Sequence, residues 1–196
     1  MKEYKLTQIV QIFFVAENIL NDILMLPELL EKHGVMLPTS VYDGTRKGGY
    51  LAIYQRTKPV STSIKDPGEL LMLGKIGEID DKEDEDWGCK SNKYKNFADS
   101  KCQSIIQTPF AFTSDETPFK IKGGLIMNEE LVIGFSGRSQ WEDELLVVAT
   151  AMYSEIFLEE HRMIKTILPE LRAKNNNPLV SEEILNVVGN KYRDIK

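Results

Sequence analysis

Residues Lys120 to Glu144 read Lys-Ile-Lys-Gly-Gly-Leu-Ile-Met-Asn-Glu-Glu-Leu-Val-Ile-Gly-Phe-Ser-Gly-Arg-Ser-Gln-Trp-Glu-Asp-Glu, and they decide the fold. Two short apolar runs, rich in branched side chains and bounded by Gly or Asn, predict two strands rather than a helix. Asn128 to Glu130 closes them into a hairpin. Ser139 stands three residues before Glu142, the spacing of a capping box, and Glu142, Asp143 and Glu144 fill the first turn, where the helix dipole favours negative charge. A long helix is therefore expected from Gln140.

Working outward, Leu6, Ile9, Val10, Phe13, Ala16, Leu20, Ile23 and Leu24 recur at helical spacing and predict an amphipathic helix. It should end near Met25 or Leu26, with Pro27 starting a second helix toward His33 and Gly34 ending that one. Val35 to Val41 and Tyr50 to Gln55 read as two strands joined by a turn containing Asp43-Gly44 and Gly48-Gly49. Asp43 either orients a ligand or bonds its own turn, and the turn role is preferred. Lys58 to Gly88 reads as an excursion with one short helix or strand around Leu70 to Leu73, followed by an acidic run that stays solvated and lacks the spacing of a calcium loop. Tyr94, Phe97, Ala98, Cys102, Ile105 and Ile106 mark another core-facing helix, with Lys101 at its buried edge keeping a wet ammonium. Phe110, Phe112 and Phe119 lie on the following loop as packing or as a pocket wall. The last long helix is expected to run through Met163 and Ile167 to a limit at Pro169. Asn175 to Pro178 forms a linker, and Ser181 caps a short helical tail that docks on another subunit.

The chain has 196 residues, 42% hydrophobic and 28% charged, a composition that suits one core with appendages. The division expected is 1–168 as the domain, with an acidic excursion at 58–88, and 169–196 as linker and tail. A net charge of −6 argues against a phosphate-backbone binder, so nucleic acid is not an expected partner. Cys89 and Cys102 match no metal or redox spacing and read as free thiols of a reducing compartment, a single disulfide being the alternative. The apolar stretch at Ile9 to Ala16 is too short to span a bilayer and lacks a cleavage site. No membrane and a cytoplasmic setting are expected. His33 reads as a helix-end residue and His161 as exposed, neither having a second ligand at metal spacing.

Strands in hairpin pairs with helices between them favour an antiparallel sheet with helices on its faces, an α+β domain of profilin-like or PAS-like build. The segment Gly123-Gly124-Leu125-Ile126 through Ile133-Gly134-Phe135-Ser136-Gly137, followed by Glu142-Asp143-Glu144, resembles the closing signature of the GlcG/HbpS family, often labelled haem-degrading. Val41-Tyr42-Asp43-Gly44, Tyr50-Leu51 and Arg56 resemble that family's first hairpin, and Phe97 to Cys102 its Lys-Ala helix. The likeness covers about Leu6 to Tyr153 and implies a profilin-like fold, frequent homo-oligomers, and a small-ligand role that in some relatives is haem binding. No haem ligand carries over, because neither histidine falls in a motif-matching position.

The expected site is a pocket bounded by Asp43, Lys101, Gly123, Gly124, Arg138 and Ser139. Glycines there allow close approach, the two cations attract an anion, and the helix opening adds backbone donors. The same residues also read as ordinary turns with two solvated cations. A binding module for an anionic or haem-like molecule is the first functional expectation, and a homo-oligomeric assembly protein without a ligand is the second. An enzyme is a weaker third, since Ser136 lacks the first glycine of a nucleophile elbow.

Overall fold

A computed structural model describes residues 4–56, 68–108, 110–128, 130–158 and 163–192. The order of elements is α1 Leu6–Leu24, α2 Leu26–Lys32, β1 Gly48–Gln55, β2 Glu69–Gly77, α3 Lys90–Ile106, β3 Gly124–Ile126, β4 Leu131–Ser136, α4 Gln140–Leu158 and α5 Met163–Asn175. A 3-10 turn at Pro178–Val180, α6 Glu182–Val187 and a second 3-10 turn at Asn190–Tyr192 close the chain. The strands form one antiparallel sheet in the order β2-β1-β4-β3. This is an α+β fold with helices on both faces of the sheet.

Alternation along the strands builds the two layers. Leu51 and Ile53 of β1 and Leu131, Ile133 and Phe135 of β4 face α1 and α4, while Ala52, Tyr54 and Val132 face α3. Gly134 lets α3 settle onto β4: a Cβ there would sit 2.6 Å from the Ala98 carbonyl oxygen and 2.9 Å from Cys102 Sγ. The β3–β4 hairpin is tied by Asn128, whose Oδ1 accepts from the backbone of Glu130 at 3.0 Å and of Leu131 at 2.6 Å.

Four expectations change. Val35 to Val41 is not a strand: Pro38 cannot donate to a ladder, and the Val41 amide turns back onto its carbonyl at 3.2 Å. The partner of β1 is instead β2, drawn from the supposed excursion, with Leu71 bulged between Met72 opposite Ile53 and Leu70 opposite Tyr54. Pro169 lies inside α5 rather than at a helix limit, forfeiting one amide donor while the helix continues. The tail docks on its own chain: Leu179, Val180, Ile184, Leu185 and Val188 join the core, Tyr153 donates to the Leu185 carbonyl at 2.9 Å, and the Gly189 amide donates to Asp22 at 2.9 Å. His161 lies outside the described residues.

Other expectations hold. Helices α1, α2 and α3 form where periodicity places them, His33 is the residue at which α2 ends, and Ser181 caps α6 by accepting from the Ile184 amide at 3.2 Å. Both cysteines are free. Phe119 packs edge-on against Phe97 at 5.3 Å, and Phe112 is buried beside Leu125. Among the described residues, no single helix is long and apolar enough to cross a membrane.

Candidate functional site

Successive side chains on a helix point about 100° apart, so three consecutive carboxylates at the start of α4 reach in three directions. Each holds a different segment. Ser139 and Glu142 form the expected reciprocal cap, the Ser139 amide donating to Glu142 at 3.2 Å and the Glu142 amide to Ser139 Oγ at 3.3 Å. Glu142 also takes Arg138 at 2.6 Å in an ion pair closed to solvent. The segment before β1 straps across this corner through Ser139 Oγ to the Val41 carbonyl at 3.2 Å and Arg46 Nη1 to the Arg138 carbonyl at 2.9 Å.

Asp143 is the second hold. Lys101 reaches it from α3, on the opposite face of the sheet, at 2.8 Å, and donates also to the Phe135 carbonyl at 2.6 Å. The other oxygen of Asp143 accepts from the Arg138 amide at 3.0 Å. Gly123 makes room for this crossing: its φ is +106°, and a Cβ would meet Asp143 Cβ at 2.7 Å and Lys101 Nζ at 3.0 Å. Burial pushes Asp143 up to about 6 against the pull of Lys101, and burial draws Lys101 below the ordinary lysine value against the pull of Asp143.

Glu144 is the third. It accepts from Asn175 Nδ2 at 2.6 Å and Asn177 Nδ2 at 3.4 Å, pinning the linker before the tail. Burial pushes its carboxyl up to about 7, a shift that these two amides and the nearby Lys122 oppose. Lys122 itself lies 4.0 Å over the Trp141 ring.

Five of the six residues expected to bound a pocket are thus brought to one corner, in two groups joined through Asp143. Lys101, Gly123 and Gly124 are on one side; Arg138 and Ser139 are on the other. The corner is filled. Lys101 is 0% exposed, so its ammonium is not wet as the helix pattern suggested, and Arg138 is buried as well. Asp43 stands apart and exposed at the strap, accepting from Thr45 Oγ1 at 2.5 Å with Arg46 at 3.7 Å; these contacts hold its carboxyl below the usual range, led by the Thr45 bond. It serves its own turn. The hub residue Asp143 carries a signal in the sequence, three adjacent acids in one helical turn, but dipole complementarity alone accounts for their presence there.

Open space lies one step away. A cleft of 520 Å³ is lined by Thr45 to Gly48, Glu78 to Asp80, Lys90, Tyr94 and Gly137. Glycine backbone forms part of this lining, and Gly137 and Gly48 cross so closely that a Cβ on Gly137 would lie 2.3 Å from the Gly48 carbonyl oxygen. Arg46, Lys47 and Lys90 give it three cations; of the two acids, Asp80 is held by Lys82 at 2.6 Å. The acidic run beyond is solvated, as expected, and it is also fastened to α3: Asp81 accepts from the Ser91 amide at 2.8 Å and Asp84 pairs with Lys93 at 2.9 Å. No group of three metal-binding side chains occurs among the described residues. The cleft lining contains no His, Cys or Ser.

Family models, curated proteins and solved structures yield no match to this chain.

Proposed function

We propose that this chain is a non-catalytic binding module for a small anionic metabolite, held in the cleft between the strap, the end of β2 and the start of α3. The observation that carries this reading is the set Arg46, Lys47 and Lys90 around a 520 Å³ opening that Gly48 and Gly137 also line. Cationic side chains are the partners that a carboxylate or phosphate requires. Glu78 across the cleft suits a ligand that also presents a hydroxyl or an ammonium. The resemblance to GlcG/HbpS proteins supports a small-ligand role, and the free thiols support a cytoplasmic setting.

Haem does not fit this lining. Tyr94 is the one residue there of an axial-ligand type, and five charged side chains surround the space where a porphyrin needs an apolar slot.

The test is thermal denaturation and calorimetric titration with inorganic phosphate, pyrophosphate and citrate. At a concentration a hundredfold above Kd, the stabilisation expected is about 2.7 kcal/mol. Lys47→Glu with Lys90→Glu should abolish it while leaving the unliganded melting temperature nearly unchanged, since both are surface residues. Flat titrations with all three anions would overturn the anionic reading.

A further inference from the structure

The cleft beside the strap holds more polar groups than an anion alone requires. Five charged side chains line it, and two of them are already committed. Arg46 donates to the Arg138 carbonyl at 2.9 Å and lies 3.7 Å from Asp43, while Asp80 is 2.6 Å from Lys82. Lys47, Lys90 and Glu78 remain. Together with the Tyr94 hydroxyl, their side chains make no hydrogen bond or ion pair among the described residues.

These four groups come from two walls. Lys47 and Glu78 share the rung just beyond the β1–β2 ladder, where the Glu78 amide donates to the Lys47 carbonyl at 3.3 Å, yet their side-chain charges stay unpaired. Lys90 and Tyr94 stand four residues apart on α3, and so on one side of its first two turns.

Charge and size together select the ligand. Two free ammoniums match a phosphate monoester, which carries a charge of about −1.5 to −2 at pH 7. Glu78 repels that phosphate, so it requires a neutral donor from elsewhere on the same molecule, and a hydroxyl supplies one. An amino acid fits less well: its carboxylate answers one lysine and its ammonium Glu78, which leaves the second lysine unanswered. The volume of 520 Å³ lies within the range of about 300–1,000 Å³ for clefts that take organic ligands. Ile79 is the one aliphatic side chain in the lining and Tyr94 the one aromatic ring, so a flat apolar group finds little cover.

We propose that the ligand is a phosphorylated sugar, its phosphate taken between Lys47 and Lys90 and its hydroxyls by the Glu78 carboxylate and the Tyr94 hydroxyl. This assignment rests on the anionic reading of the cleft and narrows it to one class. A sugar phosphate occurs free and within a nucleotide, and both sources present the same groups to these four residues.

Calorimetric titration of the full chain with ethyl phosphate, ribose 5-phosphate, adenosine monophosphate and ribose tests it. Ribose 5-phosphate should bind at least about tenfold more tightly than ethyl phosphate, the factor for one hydrogen bond to a charged group. Ribose alone should not bind. Glu78→Ala should remove the advantage of the sugar and leave ethyl phosphate bound as well as before or better. Glu78 is exposed, and an unchanged melting temperature checks that the fold is kept. Tyr94→Phe should weaken ribose 5-phosphate and spare ethyl phosphate. Adenosine monophosphate binding no tighter than ribose 5-phosphate identifies the free sugar phosphate as the source, and tighter binding identifies the nucleotide. Equal affinity for ribose 5-phosphate and ethyl phosphate, ribose binding as tightly as its phosphate, or a Glu78→Ala loss shared by both phosphates overturns the sugar assignment and leaves the anionic reading to its own test. Flat titrations with every phosphate and with citrate overturn the two together.

Discussion

Lys101 and Asp143 form an ion pair that spans the sheet, and its value is conditional on both partners. Removing one leaves a charge where water cannot reach. Lys101→Met is expected to cost about 3–5 kcal/mol in urea denaturation, and Lys101→Met with Asp143→Asn to recover most of that, since the asparagine oxygen still accepts the Arg138 amide. Equal instability of the single and double variants would show that the pair is not a unit. Glu144 gives a pH dependence of definite sign. Its folded pKa, about 7, stands above the ordinary carboxylate value of 4.5, so the folded chain holds the proton more tightly than the unfolded one. That contribution is complete below the unfolded value and is lost as pH rises through the folded one. Between pH 6 and 8 the loss is about 1.4 kcal/mol, or roughly 3–5 °C in melting temperature for a chain of this size. Glu144→Gln should flatten that window, as read by thermal denaturation at constant ionic strength.

Elements rest on contacts of different range, and the range decides how much of them the sequence discloses. The capping box at Ser139, the β3–β4 hairpin and the amphipathic faces of α1 and α3 are local patterns, and all form as read. The pairing of β1 is not local. Leu70 to Leu73 lacks alternation because its strand is bulged and lies at the sheet edge, while the competing run at Val35 to Val41 hides a disqualifying Pro38. Nor does one lysine in a helix announce an acid 42 residues away. Of the candidate site, the corner was legible from its glycines and charges, but not that its cations face inward, since burial of Lys101 depends on the gap that Gly123 leaves. The seat of α3 gives a test at this scale. Gly134→Ala would place a Cβ 2.6 Å from the Ala98 carbonyl oxygen, which is backbone and has no rotamer to retreat to. The helix must lift, at an expected cost of about 1–3 kcal/mol. Urea denaturation measures it, and an unchanged midpoint would mean that α3 rides more loosely on β4 than the close contact implies.

For the whole molecule, the question is where the fold ends. Charge, linker composition and proline placement suggested a domain closed by residue 168 with an optional tail. The packing argues for a single core that needs the tail. Leu179, Val180, Ile184, Leu185, Val187, Val188 and Tyr192 are all buried, against a core that includes α1 and α4. Three polar ties fix their approach: Asn177 Nδ2 donates to the Trp141 carbonyl at 2.9 Å, Arg172 Nε to the Val180 carbonyl at 2.7 Å, and the Tyr153 hydroxyl to the Leu185 carbonyl at 2.9 Å. Full burial of one large aliphatic side chain is worth about 1.5–3 kcal/mol. Seven such groups therefore contribute on the order of 10 kcal/mol, comparable with the whole net stability of about 5–15 kcal/mol expected for a domain. Deleting residues 178–196 uncovers the ends of α1 and α4 together, and among the described residues no remaining segment is placed to cover them. The truncated chain is expected to lose its cooperative thermal transition and to bind a hydrophobic dye at 25 °C, whereas deleting only 193–196 should leave the transition in place. A truncated chain that melts cooperatively within a few degrees of the intact protein would make the tail an appendage after all, and would relocate the boundary of the core to α5.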